Sequence, residues 1–309
     1  MKTTGISQLL EAYRRGENIT ALLKQDSASE QATSEMIEIA YDLQTGSYIE
    51  AMQDPELAAA KQRYLDEAIG HLEGLNLGES ILDAGTGETT TLTMLVHSLP
   101  AVPAEILAFD GSWSRIHFAR SWMASRKLDA SLFVADLMGI PLASNSVDTV
   151  FTSHAIEPNG GREKEILREL YRVASRYLVL LEPSNELGSA ATGDRMKEHG
   201  YCHDLARHCS ELGYSLIRHE LLSNVARENN QTALHVIEKD GTAAVQKGVA
   251  YTVPGTDFPL RNEGAYFFSE DEFLMFPVFK GIPCLRRSNA VIGSKHDVSC
   301  DIKHPTEAS

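Results

Sequence analysis

Ile81-Leu82-Asp83-Ala84-Gly85-Thr86-Gly87-Glu88 is the stretch from which the fold of this 309-residue chain can be read. It reads as a buried strand ending in an acid, a Gly-x-Gly turn and the start of a helix. Gly85 and Gly87 permit positive φ and let the backbone come close to a ligand. The turn feeds a helix N-terminus, whose free N–H groups favour an anionic group. A dinucleotide-binding loop would read G-x-G-x-x-G, but Thr90 stands where its last glycine belongs. Asp83 would also crowd a pyrophosphate. An acid there suits a ligand that carries an ammonium group.

Working outward, apolar runs and helical patterns alternate. Strands are expected at 79–83, 104–109, 131–135, 147–153 and 177–182. Helices are expected at 88–98, 113–126, 163–175 and 195–212. This rhythm predicts an α/β fold, a parallel sheet covered by helices on both faces. The runs 214–222 and 231–238 have no helix between them, so an antiparallel hairpin is expected at one sheet edge. Upstream, 29–43 reads as a helix, and Asp54-Pro55 opens another that Gly74 should stop. Downstream of about 240, Gly, Pro and Phe cluster and helical periodicity disappears. The expected organisation is a helical cap (1–75), an α/β core (76–240), a small β-rich module (241–296) and a polar tail (297–309).

Two more acids end apolar runs, Asp110 after Ala104–Phe109 and Asp136 after Leu132–Ala135. Asp110 is placed to accept from two ribose hydroxyls, and Asp136 from an adenine amino group. Taken singly, each is as well read as a turn or cap residue. In order with Asp83 they describe a site for an adenosine joined to a cationic amino acid.

These residues resemble the class I S-adenosylmethionine-dependent methyltransferases, whose fold is a seven-stranded Rossmann-like sheet. The resemblance spans about 36–240. It is carried by Asp83–Glu88, Ala135-Asp136-Leu137 with Ile140-Pro141, Ser146–Phe151, Leu167–Val173 and Tyr177–Pro183. It implies methyl transfer with S-adenosylmethionine as cofactor and S-adenosylhomocysteine as product. It also implies that Asp83 and the Gly85-Thr86-Gly87 loop face the methionine part and that Asp110-Gly111 holds the ribose. Asp136 and the Leu137 backbone would read adenine. Ser153 and an N-terminal lid carrying Tyr41 and Tyr48 would complete the contacts; the two tyrosines are equally well read as packing. The family's usual third glycine is replaced by Thr89, a departure expected to be mild.

Ligands in open α/β sheets bind beyond the carboxyl ends of the strands. His154 and Glu157 follow the fourth strand and are therefore the candidate catalytic residues, either as a general base toward a hydroxyl. Their plainer readings are packing against the cofactor and capping a turn. In-line positioning alone can also supply much of the rate. Glu182 is a further candidate for the acceptor pocket. His199, His203 and His208 with Cys202 and Cys209 lack a matching carboxylate pattern, and no metal is expected.

Residues 253–296 resemble the small zinc-ribbon-related proteins that activate methyltransferases, through Phe276–Leu285 and Asn289-Ala290-Val291. Val253-Pro254-Gly255-Thr256 stands where their Cys-Pro-x-Cys would be, so no zinc is expected. The resemblance implies a stabilising or substrate-positioning module in cis; the plain reading is a packing or dimer-forming appendage.

The net charge of −15 argues against a nucleic-acid partner and for a small-molecule acceptor, such as a sugar or a specialised-metabolite precursor. No run is long and apolar enough for a membrane span, and Met1–Leu10 has no signal core. Cys202, Cys209, Cys284 and Cys300 form no C-x-x-C pair, which fits reduced thiols and a cytoplasmic location. A homodimer is kept as an oligomeric expectation. The rival readings are a nicotinamide oxidoreductase, an RNA or protein methyltransferase, and a non-catalytic S-adenosylmethionine-binding protein.

Overall fold

The computed structural model describes residues 5–27, 32–224, 227–239 and 250–296. The boundary expected at 240–241, the tail from 297 and the start of the helix expected at 29 lie outside them.

The N-terminal part is helical: α1 (Ile6–Arg14), α2 (Ile19–Ser27), α3 (Ser34–Leu43), α4 (Ser47–Ala51) and α5 (Pro55–Gly70). Leu9, Ala12, Ile19 and Ala40 bury a small core among the first three. Asp54 caps α5, its Oδ1 accepting from the N–H groups of Glu56 at 2.8 Å and Leu57 at 3.3 Å. The helix ends at Gly70, a turn before Gly74, which adopts φ 82° in the loop that follows.

Strand and helix then alternate: β1 (Ser80–Ala84), α6 (Thr90–Ser98), β2 (Glu105–Asp110), α7 (Trp113–Ser125), β3 (Ser131–Val134), β4 (Val147–Ser153), α8 (Glu163–Val173) and β5 (Ala174–Pro183). After them come α9 (Ala190–His199), α10 (Leu205–Glu211), β6 (Ser215–Leu221) and β7 (Thr232–Glu238). The seven strands form one sheet in the order β3-β2-β1-β4-β5-β7-β6. β1 to β5 are parallel, and β7 runs antiparallel between β5 and β6, so the expected edge hairpin is present. The strand order reverses between β1 and its neighbours β2 and β4, which opens a crevice at their carboxyl ends.

Side chains along each strand alternate between two cores, as the strand period of two requires. Leu82, Leu107, Val150 and Leu180 face Ile166, Leu170 and Leu205 of α8 and α10. Ile81, Ile106, Phe151 and Val179 face Leu65 of α5 and Leu92 and Leu95 of α6. The single helix expected at 195–212 is instead two. Gly200 at φ 68° closes α9, and Asp204 at φ 55° precedes α10. Turn geometry at these two residues overrode a continuous helical pattern.

The C-terminal part holds β8 (Arg261–Asn262), β9 (Tyr266–Ser269), β10 (Leu274–Phe279), β11 (Ile282–Pro283) and β12 (Val291–Ile292), all antiparallel. It docks on the β3 edge of the large sheet. Cys284 bridges Val134 in parallel fashion, and the Leu285 N–H donates to the Val134 carbonyl at 2.8 Å. Phe267, Phe276 and Leu285 join the same core as Leu82. No helix among the described residues is long and apolar enough to cross a membrane.

Candidate functional site

The crevice is a cavity of about 540 Å³. Its floor is the loop after β1. The N–H groups of Gly85 and Thr86 both donate to the Phe109 carbonyl, at 2.9 and 2.8 Å, which pins the loop to the end of β2. A Cβ at Gly85 would lie 2.5 Å from the Cβ of Ala155, so only glycine fits there. At Gly87 a Cβ would press on Arg115 at 3.1 Å and on the Tyr48 ring at 3.3 Å. Thr89 caps α6 at φ 58°, the left-handed region that β-branched residues avoid. The departure from glycine is thus not mild: it holds a buried threonine in a strained conformation.

The acids separate into two kinds. Asp110 lies on the cavity wall, with Oδ2 accepting from Gly87 N–H at 3.0 Å and Oδ1 from Ser112 N–H at 2.9 Å. Burial raises its pKa, against the pull of the nearby Arg115. Gly111, Asp136 and Leu137 continue the wall, and Asp136 Oδ1 accepts from Met138 N–H at 3.0 Å. Asp83 sits behind the wall. It is 2 % exposed and accepts a bond from the Thr86 hydroxyl at 2.5 Å. Burial pushes its carboxyl up to about 7, although Thr86 and Lys61 both favour the ionised form. Thr86 lines the cavity in its place.

The N-terminal helices close over the loop. Tyr41 and Tyr48 line the cavity and sandwich the Arg115 guanidinium, 4.9 and 4.4 Å from their ring centres. Glu88 is fully buried and accepts from the N–H groups of Gly46 and Ile49, both at 2.9 Å. Asp42 accepts from the hydroxyls of Ser112 at 2.7 Å and Ser114 at 3.1 Å. Two carboxylates therefore tie the α3–α4 segment to the crevice.

At the far end, β4 finishes at Ser153, and His154 turns its ring into the cavity from a left-handed backbone, φ 53°. His154 Nδ1 meets Glu157 Oε2 at 3.0 Å, and Nε2 meets the Thr232 hydroxyl at 2.9 Å. Glu157 also accepts from Arg195 at 3.2 Å and stands behind the histidine, off the cavity wall. In the neutral ring, the carboxylate fixes the proton on Nδ1 and leaves Nε2 as the acceptor. Burial works against the imidazolium, yet the Glu157 and Glu182 carboxylates win and raise the His154 pKa. Glu182 does not reach the pocket. It is buried and clamps the turn, accepting from the N–H groups of Ala155 at 3.0 Å, Ile156 at 3.2 Å and Glu157 at 3.3 Å.

Four wall residues escaped the reading of the sequence. Lys61 of α5 donates to the Thr90 hydroxyl at 2.9 Å, and burial lowers its pKa to about 8. Arg115 is 1 % exposed, and its Nη2 has no hydrogen-bond partner among the described residues. Thr232 opens β7. Arg286 comes from the C-terminal module, ion-pairs with Glu38 of α3 and reaches the Gly111 carbonyl at 3.5 Å. Lys61 and Arg115 lie in helices where a lone cation reads as a surface residue, so no local signal marks them. The Arg286-Arg287 pair was visible, but not its destination.

Residues 81–176 match the model of a methyltransferase domain. This chain carries a methyltransferase domain. The match spans Asp83, the glycine loop, Asp110, Asp136 and His154. No protein of curated function matches the chain in sequence. Among solved structures, the methyltransferase is similar to the magnesium protoporphyrin IX methyltransferase of Synechocystis PCC 6803 with bound S-adenosylhomocysteine. The two share 16 % identity over 65 % of this chain and 99 % of that one, with a TM-score of 0.50. It is also similar to the [4+2]-cyclase SpnF, at 16 % identity over 68 % of this chain and 97 % of that one, with a TM-score of 0.53. A methyltransferase from Aquifex aeolicus matches at 20 % identity over 62 % of this chain and 97 % of that one, with a TM-score of 0.45. At these identities the likeness is one of fold.

The cofactor of the methyltransferase is S-adenosylmethionine, and the residues present fit it. The Gly85-Thr86-Gly87 loop lines the cavity, and a Cβ at Gly87 would push on Arg115 and Tyr48, which line it too. The wall offers carboxylates for hydroxyl and amino groups. It also offers an unpaired, buried guanidinium nitrogen and an ammonium for a carboxylate.

Proposed function

We propose that this enzyme methylates an oxygen or nitrogen of a small-molecule acceptor bound between His154, Thr232 and the N-terminal helices. One observation carries the reading: the cavity continues past the glycine loop to a histidine held by a carboxylate on one nitrogen and a hydroxyl on the other. When bound, S-adenosylmethionine supplies a methyl group made electrophilic by its sulfonium.

At the cofactor end, Asp110 takes the ribose hydroxyls and Asp136 with the Leu137 backbone takes the adenine edge. Lys61 and Arg115 take the methionine carboxylate, and Asp83 acts through Thr86 rather than by contact. At the acceptor end, a substrate O–H or N–H replaces Thr232 as the partner of His154 Nε2. His154 would orient the substrate lone pair toward the methyl group that the bound cofactor would supply. The proton goes to Nε2 and then to solvent. Glu157 holds the ring in the required tautomer and stabilises the imidazolium; it is a positioning residue.

The C-terminal module is read as a stabilising element in cis, akin to the activator proteins it resembles. Its support is Arg286, which completes the wall beside Gly111. Buried, unpaired Cys202, Cys209 and Cys284 support a cytoplasmic location. The net charge of −15 supports a small acceptor over a nucleic acid. Whether the enzyme acts as a homodimer is answered by its mass in solution.

The test is methyl transfer from labelled S-adenosylmethionine to a metabolite extract, with His154→Gln in parallel. Transfer to small-molecule fractions, much reduced in the variant, supports the proposal. Cofactor binding without turnover on any fraction favours a non-catalytic binding protein. Transfer to RNA or protein fractions, with salt-sensitive affinity, overturns the small-molecule claim.

A further inference from the structure

Away from the cavity, His219 of β6 and His235 of β7 face one another directly across the antiparallel pair. Their rings are stacked, with centres 4.5 Å apart. His235 is 1 % exposed, and neither of its ring nitrogens nor His219 Nε2 makes a well-aligned hydrogen bond among the described residues, although the Leu180 and Ala233 backbone lies beside the His235 ring. A neutral imidazole carries one donor and one acceptor, and burying both unpaired is costly. Aliphatic side chains would fill the same space at no such cost.

A third donor lies against them. Glu186 follows β5, and its carboxylate and one nitrogen from each ring lie within 4.8 Å of one another. The Glu186 oxygens accept from Ala206 and Arg207 N–H, both at 3.0 Å, at the start of α10. Those bonds orient the carboxylate, and each oxygen keeps a lone pair for a further partner. Solvent reaches the cluster from the Glu186 side, which is exposed.

We propose that Glu186, His219 and His235 bind one zinc ion. Two imidazoles and a carboxylate favour zinc over magnesium or calcium, which prefer all-oxygen shells. Three protein ligands leave the fourth tetrahedral position to water. None of the three residues lines the cofactor cavity, so the ion takes no part in the chemistry there. It cross-links the chain after β5 to the β6–β7 hairpin, where β6 is the outermost strand of the sheet. The site is distinct from His199, His203 and His208, which contribute no ligand to it.

The experiment uses the full-length protein, stripped with chelator and titrated with Co²⁺ and then Zn²⁺. Visible d–d absorption, metal content and melting temperature are read together. One equivalent is expected to bind and to raise the melting temperature. Loss of an outer-shell partner alone costs roughly 10- to 100-fold in metal affinity. His219→Gln and Glu186→Gln should therefore each weaken binding by at least about 100-fold. His199→Gln/His203→Gln should bind as the wild type does. Should His235→Gln fail to fold, the other two variants still decide. Sub-stoichiometric uptake by the wild type overturns the proposal. So does unchanged affinity in His219→Gln, or loss of binding in the His199/His203 control.

Discussion

Replacing Glu88 with alanine tests how much the hold of the α3–α4 segment on the crevice owes to one of its two carboxylates. The side chain is fully buried and accepts two backbone N–H bonds of 2.9 Å, from Gly46 and Ile49. A hydrogen bond to a charged group is worth about 1.5–3 kcal/mol. Both freed N–H groups lie in half-buried residues that water can reach, so the lower end applies to each. The docked α3–α4 segment then loses about 3 kcal/mol, or roughly 100-fold in its docking equilibrium. The Asp42 anchor remains, so the sheet and α5 stay folded. Hydrogen exchange across 41–52 should accelerate by up to about that factor, while exchange in β1 and β4 stays slow. Affinity for S-adenosylhomocysteine, measured by calorimetry, should fall by about 10- to 100-fold. Glu88→Gln keeps one acceptor and should fall between. A folded Glu88→Ala protein that binds within about twofold of wild type, with unchanged exchange in 41–52, would refute the reasoning.

Four further predictions follow from the site. Asp83→Asn should become more stable relative to wild type as pH rises. The folded carboxyl titrates near 7 and the unfolded one near the ordinary 3.8, so the folded protein binds more protons between them and wild-type stability falls across that window. Melting temperatures at about pH 4.5 and 7.5 check this sign, and a constant difference contradicts it. His154→Gln should abolish the rise of kcat/KM with pH through a pKa above 6.5, because the raised imidazole pKa means the base is freed only above that value. Thr89→Gly should change stability by less than about 1 kcal/mol in urea unfolding, as relief of left-handed strain of about 1–2 kcal/mol is offset by the buried methyl and by the hydroxyl bond to the Glu88 carbonyl at 2.7 Å; a loss of several kcal/mol would show the threonine unstrained. Arg286→Met, which also leaves Glu38 unpaired, should weaken S-adenosylhomocysteine binding by about 3- to 10-fold; equal binding in the folded variant would show that the module only packs.

What the sequence revealed was whatever repeats or sits at a fixed place on a strand. Ile81–Asp83, Ala104–Phe109 and Ser146–Phe151 are largely apolar runs, and each coincides with most of a buried strand of the large sheet. Asp110 and Asp136 were legible because strand ends converge on one crevice in any doubly wound sheet. Asp83 was misjudged in detail, because its bond to Thr86 depends on a turn conformation rather than on residue type. The break between α9 and α10 was missed for a like reason: periodicity persists through Gly200–Asp204 while the backbone does not. Lys61, Arg115 and Thr232 gain their places only when α5, α7 and β7 pack. The His219–His235 contact could have been suspected from their common hairpin, but not the arrival of Glu186.

The Glu38–Arg286 ion pair joins residues 248 positions apart, and it does so at the cofactor cavity. A ribosome making this chain releases the glycine loop, Asp110, Asp136 and His154 long before it releases Arg286. The nascent protein can therefore fold its sheet while its cofactor wall is still open beside Gly111. A chain stopped before Arg286 would leave Glu38 uncompensated at the wall, where it repels the acids of the same crevice.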